Sequence, residues 1–281
     1  MKQNHEFSGA LEFRPNFQPH PRIAHVLFDF DGTLSLLRQG WPEIMVPMFV
    51  EVLRECSSES EDELRKLAWD DMMRLNGKQT IYQMIQLADR VRQRGGQASD
   101  PLLYKHEYLR RLEERIVGRK QSVSGGDCSP ETFLVHGSRR ALQTLADRDL
   151  TLHLASGTDE QFVLEEAKLL EIAEFFGDRI HGARDDYQSF SKQMIIDRIL
   201  ADIGGSGDAL LAFGDGYVEI ENTKNAGGLA VALATDEANN GSGQFDPWKR
   251  ERLLGVGADV VIPDYRDIDA LLPVLLGETA A

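Results

Sequence analysis

Two carboxylates one residue apart follow a short apolar stretch near the beginning of the chain. Residues 26–28, Val-Leu-Phe, have the length and composition of a buried strand. Asp29 and Asp31 come directly after them, and Gly32 permits a tight turn. Open α/β sheets bind their ligands at the carboxyl ends of such strands. Because two adjacent carboxylates repel each other, they require a cation, and carboxylate oxygens suit Mg²⁺. The sequence therefore predicts a magnesium site here.

A serine and a glycine follow a second apolar, β-favouring stretch. Ser156 and Gly157 form a turn, and Thr158 and Asp159 occupy the predicted N-cap position of the next helix. A serine hydroxyl together with backbone N–H groups at a helix start can bind a phosphate group. Taken alone, this Ser-Gly turn is equally typical of an ordinary strand-to-helix connection.

A lysine and two further acids are the remaining candidates. Lys192 lies near the start of a predicted helix, residues 190–203, where a positive charge opposes the helix dipole unless an anion is close. Taken alone, it is more simply interpreted as a surface lysine. Asp215 follows a predicted strand, residues 209–213, and Glu219 lies four residues later at a predicted helix start. These acids could therefore join the first two carboxylates.

In this order, the segments resemble the four signature motifs of the haloacid dehalogenase superfamily. Residues 29–33, Asp-Phe-Asp-Gly-Thr, match the first motif, Ser156 matches the second and Lys192 the third. Asp215 and Glu219 match the fourth, Gly-Asp-x-x-x-Asp, except that glutamate replaces its final aspartate. The longer glutamate side chain leaves a water-mediated metal contact as plausible as a direct one.

The resemblance implies phosphoryl transfer with a role for each matched residue. Asp29 would be the nucleophile that forms an aspartyl-phosphate, and Asp31 would be the general acid and then the general base. Ser156, Gly157 and Lys192 would bind the transferring phosphoryl group. Mg²⁺ would be held by Asp29, the backbone carbonyl of Asp31, Asp215 and Glu219.

Within this family, Asp31 favours phosphoester chemistry. Family dehalogenases lack this acid, phosphonate-cleaving members have a small residue there, and P-type ATPases have threonine. The resemblance thus implies a magnesium-dependent phosphatase whose partner is a small phosphorylated metabolite, a sugar, polyol or glycolate-type phosphomonoester. Two alternatives stay open: a phosphomutase of the β-phosphoglucomutase type, and a catalytically silent metabolite-binding module.

The elements that position these residues follow an α/β pattern. From Glu131 helices and strands alternate, which predicts a Rossmann-like, doubly wound parallel sheet with helices on both faces. Apolar residues at helical spacing predict four helices inserted after the first motif, at 41–56, 61–76, 79–94 and 101–120. The predicted division is an N-terminal arm at 1–22, a core at 23–37 and 129–281, and an all-helical cap at 38–128.

Three details of this organisation are also expected. Leu11-Glu-Phe is predicted to pair on the sheet edge. The turn Gly77–Thr80 between cap helices is expected to be an exposed loop, although it could face the substrate. Trp41 is expected to pack in the core, although Trp41 and Arg38 could line the cleft. In the family, an insertion at this position closes over the active site and selects the substrate.

The composition of the chain limits its possible binding partners and its cellular compartment. The 281 residues are 42% hydrophobic, enough for a substantial core, and the net charge is −15, with a pI near 4.9. Such a charge disfavours nucleic acid and anionic membranes as partners. No run approaches ~20 apolar residues, and the first residues resemble no secretory segment. Two cysteines without metal-type spacing indicate reduced thiols and a cytoplasmic protein. The oligomeric state is left open.

Overall fold

A seven-stranded sheet forms the centre of the computed structural model, which describes residues 7–202 and 204–278. The strand order is β1-β7-β6-β5-β2-β3-β4, and every neighbouring pair is parallel except β1 with β7. The strands are β1 (Glu12–Phe13), β2 (His25–Phe28), β3 (Thr151–Asp159), β4 (Ile180–Ala183), β5 (Leu210–Gly214), β6 (Leu229–Leu233) and β7 (Val260–Ile262). The predicted α/β class with a parallel sheet is confirmed.

Ten α-helices accompany these strands in the described part of the chain. They are α1 (Pro42–Arg54), α2 (Glu61–Arg74), α3 (Thr80–Gln93), α4 (Pro101–Ser124), α5 (Ser138–Ala146), α6 (Glu160–Leu169), α7 (Lys192–Asp202), α8 (Tyr217–Asn225), α9 (Pro247–Gly255) and α10 (Ile268–Leu275). None of them combines the length and the hydropathy needed to span a membrane.

The sheet is covered on both faces because successive strand residues point in opposite directions. On one face, Val26 and Phe28 of β2 belong to an apolar cluster with side chains of α5, α6 and α10. On the other face, Leu27 packs with Ile195 and Ile199 of α7. Strand β2 is central, between β3 and β5, so the loop after it meets the loops after both neighbours.

Helices α1–α4 lie between β2 and β3 in the chain and have an apolar cluster of their own. Its buried members include Met45, Leu53, Met72, Leu87 and Ile116. We call these helices the four-helix insertion. Its second helix begins with a capping box, in which the Ser60 side chain and the Glu63 side chain bond each other's backbone N–H.

Two predicted boundaries in the core are wrong. The strand predicted at 150–155 continues to Asp159, because after a register shift Asp159 pairs with Ala183 of β4. The helix predicted at 159–175 ends at Leu169, since Glu171 adopts a positive φ of 55° that an α-helix cannot include. At the sheet edge, the pairing predicted for Leu11-Glu-Phe occurs, as Glu12 and Phe13 pair with Val261 and Val260.

Candidate active site

The carboxyl ends of three parallel strands bring the predicted residues together. Asp29 and Asp31 follow β2, Ser156 lies in the last part of β3, and Asp215 follows β5. A single cavity of about 90 Å³ is lined by these four residues together with Gly157 and Lys192. Glu219, in the first turn of α8, is buried beside them. The structure thus assembles all seven residues singled out in the sequence.

Asp29 is buried and contacts a lysine. Its Oδ2 lies 2.8 Å from Lys192 Nζ, and its Oδ1 accepts a hydrogen bond of 2.8 Å from the Phe30 N–H. Burial raises the pKa of the Asp29 carboxyl well above its ordinary value, with Lys192 acting against this shift and nearby carboxylates adding to it. A positive charge placed beside Asp29 would favour its ionised form.

Lys192 is the first residue of α7, as predicted, but it is 5% exposed and is not a surface lysine. Its ammonium group also donates to Glu219 Oε2 at 2.8 Å. Burial lowers the pKa of a lysine, but here Asp29 and Glu219 outweigh it and hold the pKa above its usual value. Lys192 therefore remains a cation inside the cavity.

Asp31 lines the same cavity and contacts a different set of side chains. Its Oδ2 accepts hydrogen bonds from Thr158 Oγ1 at 2.8 Å and from Ser156 Oγ at 3.5 Å, and its Oδ1 lies 3.8 Å from Arg38 Nε. Burial raises the pKa of the Asp31 carboxyl to about 6, although Arg38 opposes the rise. A carboxyl group with this pKa can both donate and accept a proton near neutral pH.

Arg38 and Thr158 also belong to the candidate site, although the sequence does not assign either residue a role there. Arg38 is buried, and its guanidinium donates to both carboxylate oxygens of Glu166 on α6 at 2.7 and 3.0 Å. The sequence suggested only that Arg38 could line the cleft, and it does. Thr158 was assigned to a helix cap, whereas its hydroxyl contacts Asp31, because β3 continues past it.

The acids offer a group of donors that fits a divalent cation. One carboxylate oxygen from each of Asp29, Asp215 and Glu219 lies within 4.8 Å of the others. These are the hard oxygen ligands that Mg²⁺ prefers. The carboxylate of Asp31 is not in this group, so its predicted metal contact through the backbone carbonyl stays a prediction. So does direct ligation by Glu219, whose Oε1 accepts from the Gly216 N–H at 2.6 Å.

The charge of the cluster also fits such a cation. A second buried lysine, Lys249 on α9, lies 2.9 Å from Asp215 Oδ2 and 2.7 Å from Glu237 Oε1. With all four of the carboxylates in these contacts ionised, they exceed the two ammonium groups by two negative charges. One divalent cation would neutralise that excess. The carboxylates are those of Asp29, Asp215, Glu219 and Glu237, and the ammonium groups are those of Lys192 and Lys249.

The four-helix insertion covers the cavity, which corrects one expectation. The turn Gly77–Thr80 is not an exposed loop: three of its residues line the cavity, and Gln79 is buried. The Gln79 amide donates to the backbone carbonyls of Tyr187 and Phe190 at 3.1 and 2.7 Å, which fixes the turn against the core. Trp41 is half-buried: it packs against the apolar cluster of the insertion, as expected, and it also lines the cavity.

Close backbone packing explains why glycine is required beside Ser156. A Cβ atom on Gly157 would lie 2.7 Å from the carbonyl oxygen of Lys78, closer than any real contact. The absence of a side chain at Gly157 therefore lets the turn of the insertion reach the end of β3. Residues of both parts of the chain thus form one site.

A family model and several solved structures match this chain. The model of haloacid dehalogenase-like hydrolases matches residues 23–227. A comparison with curated proteins finds no match.

Similar solved structures cover nearly the whole chain. A predicted phosphoglycolate phosphatase from Haemophilus somnus 129PT has a TM-score of 0.56 and 16% identity, over 89% of this chain and 98% of its own. A β-phosphoglucomutase candidate from Bacteroides vulgatus has a TM-score of 0.56 and 14% identity, over 93% and 92%. A haloacid dehalogenase-like protein of unknown function from Agrobacterium tumefaciens C58 has a TM-score of 0.55 and 18% identity, over 89% and 97%. These likenesses show a shared fold.

Proposed function

Because the chain belongs to the haloacid dehalogenase-like hydrolases, we propose that it is a magnesium-dependent phosphatase of small phosphomonoesters. One observation carries the proposal. A buried Asp29, paired with Lys192, lies in the same cavity as a second acid, Asp31, whose pKa is raised to about 6. Phosphoester hydrolysis needs both a nucleophile and a group that gives up and takes back a proton.

In the first step, the Asp29 carboxylate attacks phosphorus, and the ester oxygen leaves as Asp31 protonates it. An aspartyl-phosphate on Asp29 results. In the second step, Asp31, now ionised, removes a proton from the attacking water, and the acyl phosphate bond breaks to release phosphate and free Asp29. Thr158 keeps the Asp31 carboxyl directed at the cavity throughout.

Lys192 and Ser156 provide the positive charge and the donor group for the phosphoryl oxygens. Lys192 is buried and cationic, so its attraction to a phosphoryl group is screened little by water. Asp29, Asp215 and Glu219 would hold Mg²⁺, together with the Asp31 backbone carbonyl. When bound, the metal would supply charge that offsets the phosphoryl oxygens.

The cavity, with a volume of about 90 Å³, supports a small substrate. The lining side chains of the insertion include Asn76, Thr80 and Gln83, which can bond hydroxyl groups. A short polyol, a small sugar or a glycolate-type phosphomonoester fits this lining.

The four-helix insertion is proposed to act as a cap that selects this substrate. Residues 38–128 would form it, residues 23–37 and 129–281 the catalytic core, and residues 1–22 an N-terminal arm, of which residues 1–6 lie outside the described part of the chain. A closed cap excludes bulk water and strengthens the electrostatic contacts beneath it. With two free cysteines, Cys56 and Cys128, the reducing cytoplasm is the proposed compartment.

Two alternatives stay open: a phosphomutase of the β-phosphoglucomutase type, which must enclose a sugar bisphosphate, and a silent binding module. In a silent binding module, the Asp29–Lys192 ion pair and the raised pKa of Asp31 would serve no catalytic purpose.

The test is phosphate release from a panel of small phosphomonoesters with and without Mg²⁺, on the wild type and on Asp29→Asn. We expect release that requires both the metal and Asp29, highest for esters of two to four carbon atoms. Isomerised sugar phosphate without net phosphate release would support the mutase instead. Binding of esters without any turnover would support the silent module.

A further inference from the structure

A second buried lysine contacts Asp215, an acid of the proposed metal site that Lys192 does not contact. Lys249 lies in the first turn of α9, where its backbone N–H donates to the Asp246 side chain at 2.8 Å. Its ammonium group contacts Asp215 Oδ2 at 2.9 Å and Glu237 Oε1 at 2.7 Å. The side chains of Lys249 and Asp215 are each only 10% exposed. This contact therefore lies almost out of reach of water.

Asp215 is consequently held at both of its oxygens by the protein. Thr33 Oγ1 donates to Oδ1 at 3.3 Å and accepts a hydrogen bond of 3.0 Å from the Asp215 N–H, while Lys249 contacts Oδ2. The carboxylate is thus fixed in direction before any cation binds.

Glu237 fixes the lysine in turn. It lies in the short helical turn after β6, it lines the cavity, and its backbone carbonyl accepts a hydrogen bond of 2.5 Å from Gln39 Nε2. Buried ion pairs add little net stability compared with apolar packing. The stability of the fold therefore does not by itself require the linked charges of Asp215, Lys249 and Glu237 at the wall of the cavity.

The positive charge of Lys249 has opposite effects on the two ligands proposed for the site, Mg²⁺ and phosphate. A fixed positive charge beside Asp215 repels a divalent cation and attracts a phosphate dianion. Glu237 partly cancels both effects, because it carries a negative charge and draws Lys249 toward itself.

We propose that Lys249, positioned by Glu237, lowers the affinity of the site for Mg²⁺ and raises its affinity for phosphate. The inference rests on the proposed function, since it assumes that Asp215 is a metal ligand. Lys249 is a positioning and charge-balancing residue that acts through Asp215.

The experiment measures Mg²⁺ binding to the metal-free protein by titration calorimetry, which needs no turnover. For Lys249→Met we expect roughly tenfold tighter Mg²⁺ binding, and for Glu237→Gln roughly tenfold weaker binding. Lys249→Arg, which keeps the charge, is expected to stay near the wild type. The matched control is Lys224→Met, which removes a lysine paired with Asp259 at 2.7 Å outside the cavity and should leave the affinity unchanged.

Inorganic phosphate, titrated at saturating Mg²⁺, provides the second reading. Lys249→Met should bind it about tenfold more weakly, although the same variant binds the metal more tightly. A merely structural role would weaken both ligands together. If Lys249→Met does not fold, Glu237→Gln decides, because unchanged or tighter Mg²⁺ binding in that variant would overturn the inference.

The outcomes separate the inference from the proposed function. A wild type that binds no Mg²⁺ overturns both. A wild type that binds Mg²⁺ and releases phosphate, while Lys249→Met binds the metal no more tightly, overturns the inference alone.

Discussion

Replacing Asp31 with asparagine should separate the two chemical steps. The variant keeps the size of the side chain, and its amide oxygen can still accept the Thr158 hydroxyl, which bonds Asp31 at 2.8 Å. What it loses is the proton that the carboxyl group exchanges. In the structure this carboxyl is half-buried, its pKa is raised to about 6, and it lies beside Ser156 at the cavity wall.

The magnitude follows from the role of the group. A positioned general acid contributes about 10²- to 10⁴-fold to rate. An alkyl phosphate needs protonation of its leaving oxygen, so its turnover should fall by that factor in Asp31→Asn. An aryl phosphate has a good leaving group, so its first step should change little. Because water activation is also lost, the aspartyl-phosphate should then accumulate, giving a burst followed by a slow steady state.

The pH dependence has a definite sign. With a pKa of about 6, Asp31 is protonated in roughly a tenth of the molecules at about pH 7. The general acid is thus lost as pH rises through 6, and kcat/KM for an alkyl phosphate should decline above that pH. This decline above about pH 6 should be absent with an aryl phosphate. The aryl ester also carries an ionisable phosphate group, so it controls for the ionisation of the substrate.

The assay follows release of the phenol or alcohol by stopped flow, and phosphate release in the steady state, for one alkyl and one aryl ester across this pH range. Equal losses for both esters in Asp31→Asn, with no burst from the aryl ester, would refute the assignment. The group would then affect binding or folding rather than proton transfer.

Three further outcomes are expected. Asp215→Asn should bind Mg²⁺ at least about tenfold more weakly in calorimetry, because one of the three clustered carboxylates is lost; unchanged affinity would contradict the cluster as the metal site. Burial lowers the pKa of His153 to about 4, so the neutral form favours folding. Stability should therefore decrease as pH falls from about 6.5 to 4, by up to about 3 kcal/mol. His153→Phe should show a flatter pH dependence in urea unfolding, and an unchanged slope would contradict this account. Lys105 of α4 is buried and contacts Asp159 at 2.8 Å and Asp185 at 3.0 Å, joining the insertion to the core. Lys105→Met should increase hydrogen exchange in the insertion and raise KM, while unaltered exchange would show that this contact does not hold the two parts together.

The candidate site residues at the carboxyl ends of the strands could be predicted because the sequence patterns that identify them are local. Asp29 and Asp215 each follow an apolar strand and Ser156 lies in the last part of another, and parallel strands bring their carboxyl ends to one edge whatever the exact strand lengths. The helices of the insertion were predictable for a similar reason, since apolar residues at helical spacing and a cap such as Ser60 lie within one segment.

Features that depend on distant partners could not be predicted in the same way. Lys249 reaches Asp215 across 34 residues, and only the order of β5, β6 and α9 in space brings them together. Thr158 was misassigned because the strand signal ends at Ala155, whereas the pairing of Asp159 with Ala183 continues β3. The turn Gly77–Thr80 has the polar composition of a solvent-exposed loop, and only its contact with Gly157 shows otherwise.

The most direct test of the account is to find the phosphoryl group on the protein. Asp31→Asn is mixed with an aryl phosphate and Mg²⁺, quenched in acid, digested, and analysed by mass spectrometry. We expect one added phosphoryl group on the peptide that contains residues 26–35, located at Asp29 and absent from Asp29→Asn. A burst of product with no phosphorylated peptide, or with the group on another residue, would contradict Asp29 as the nucleophile.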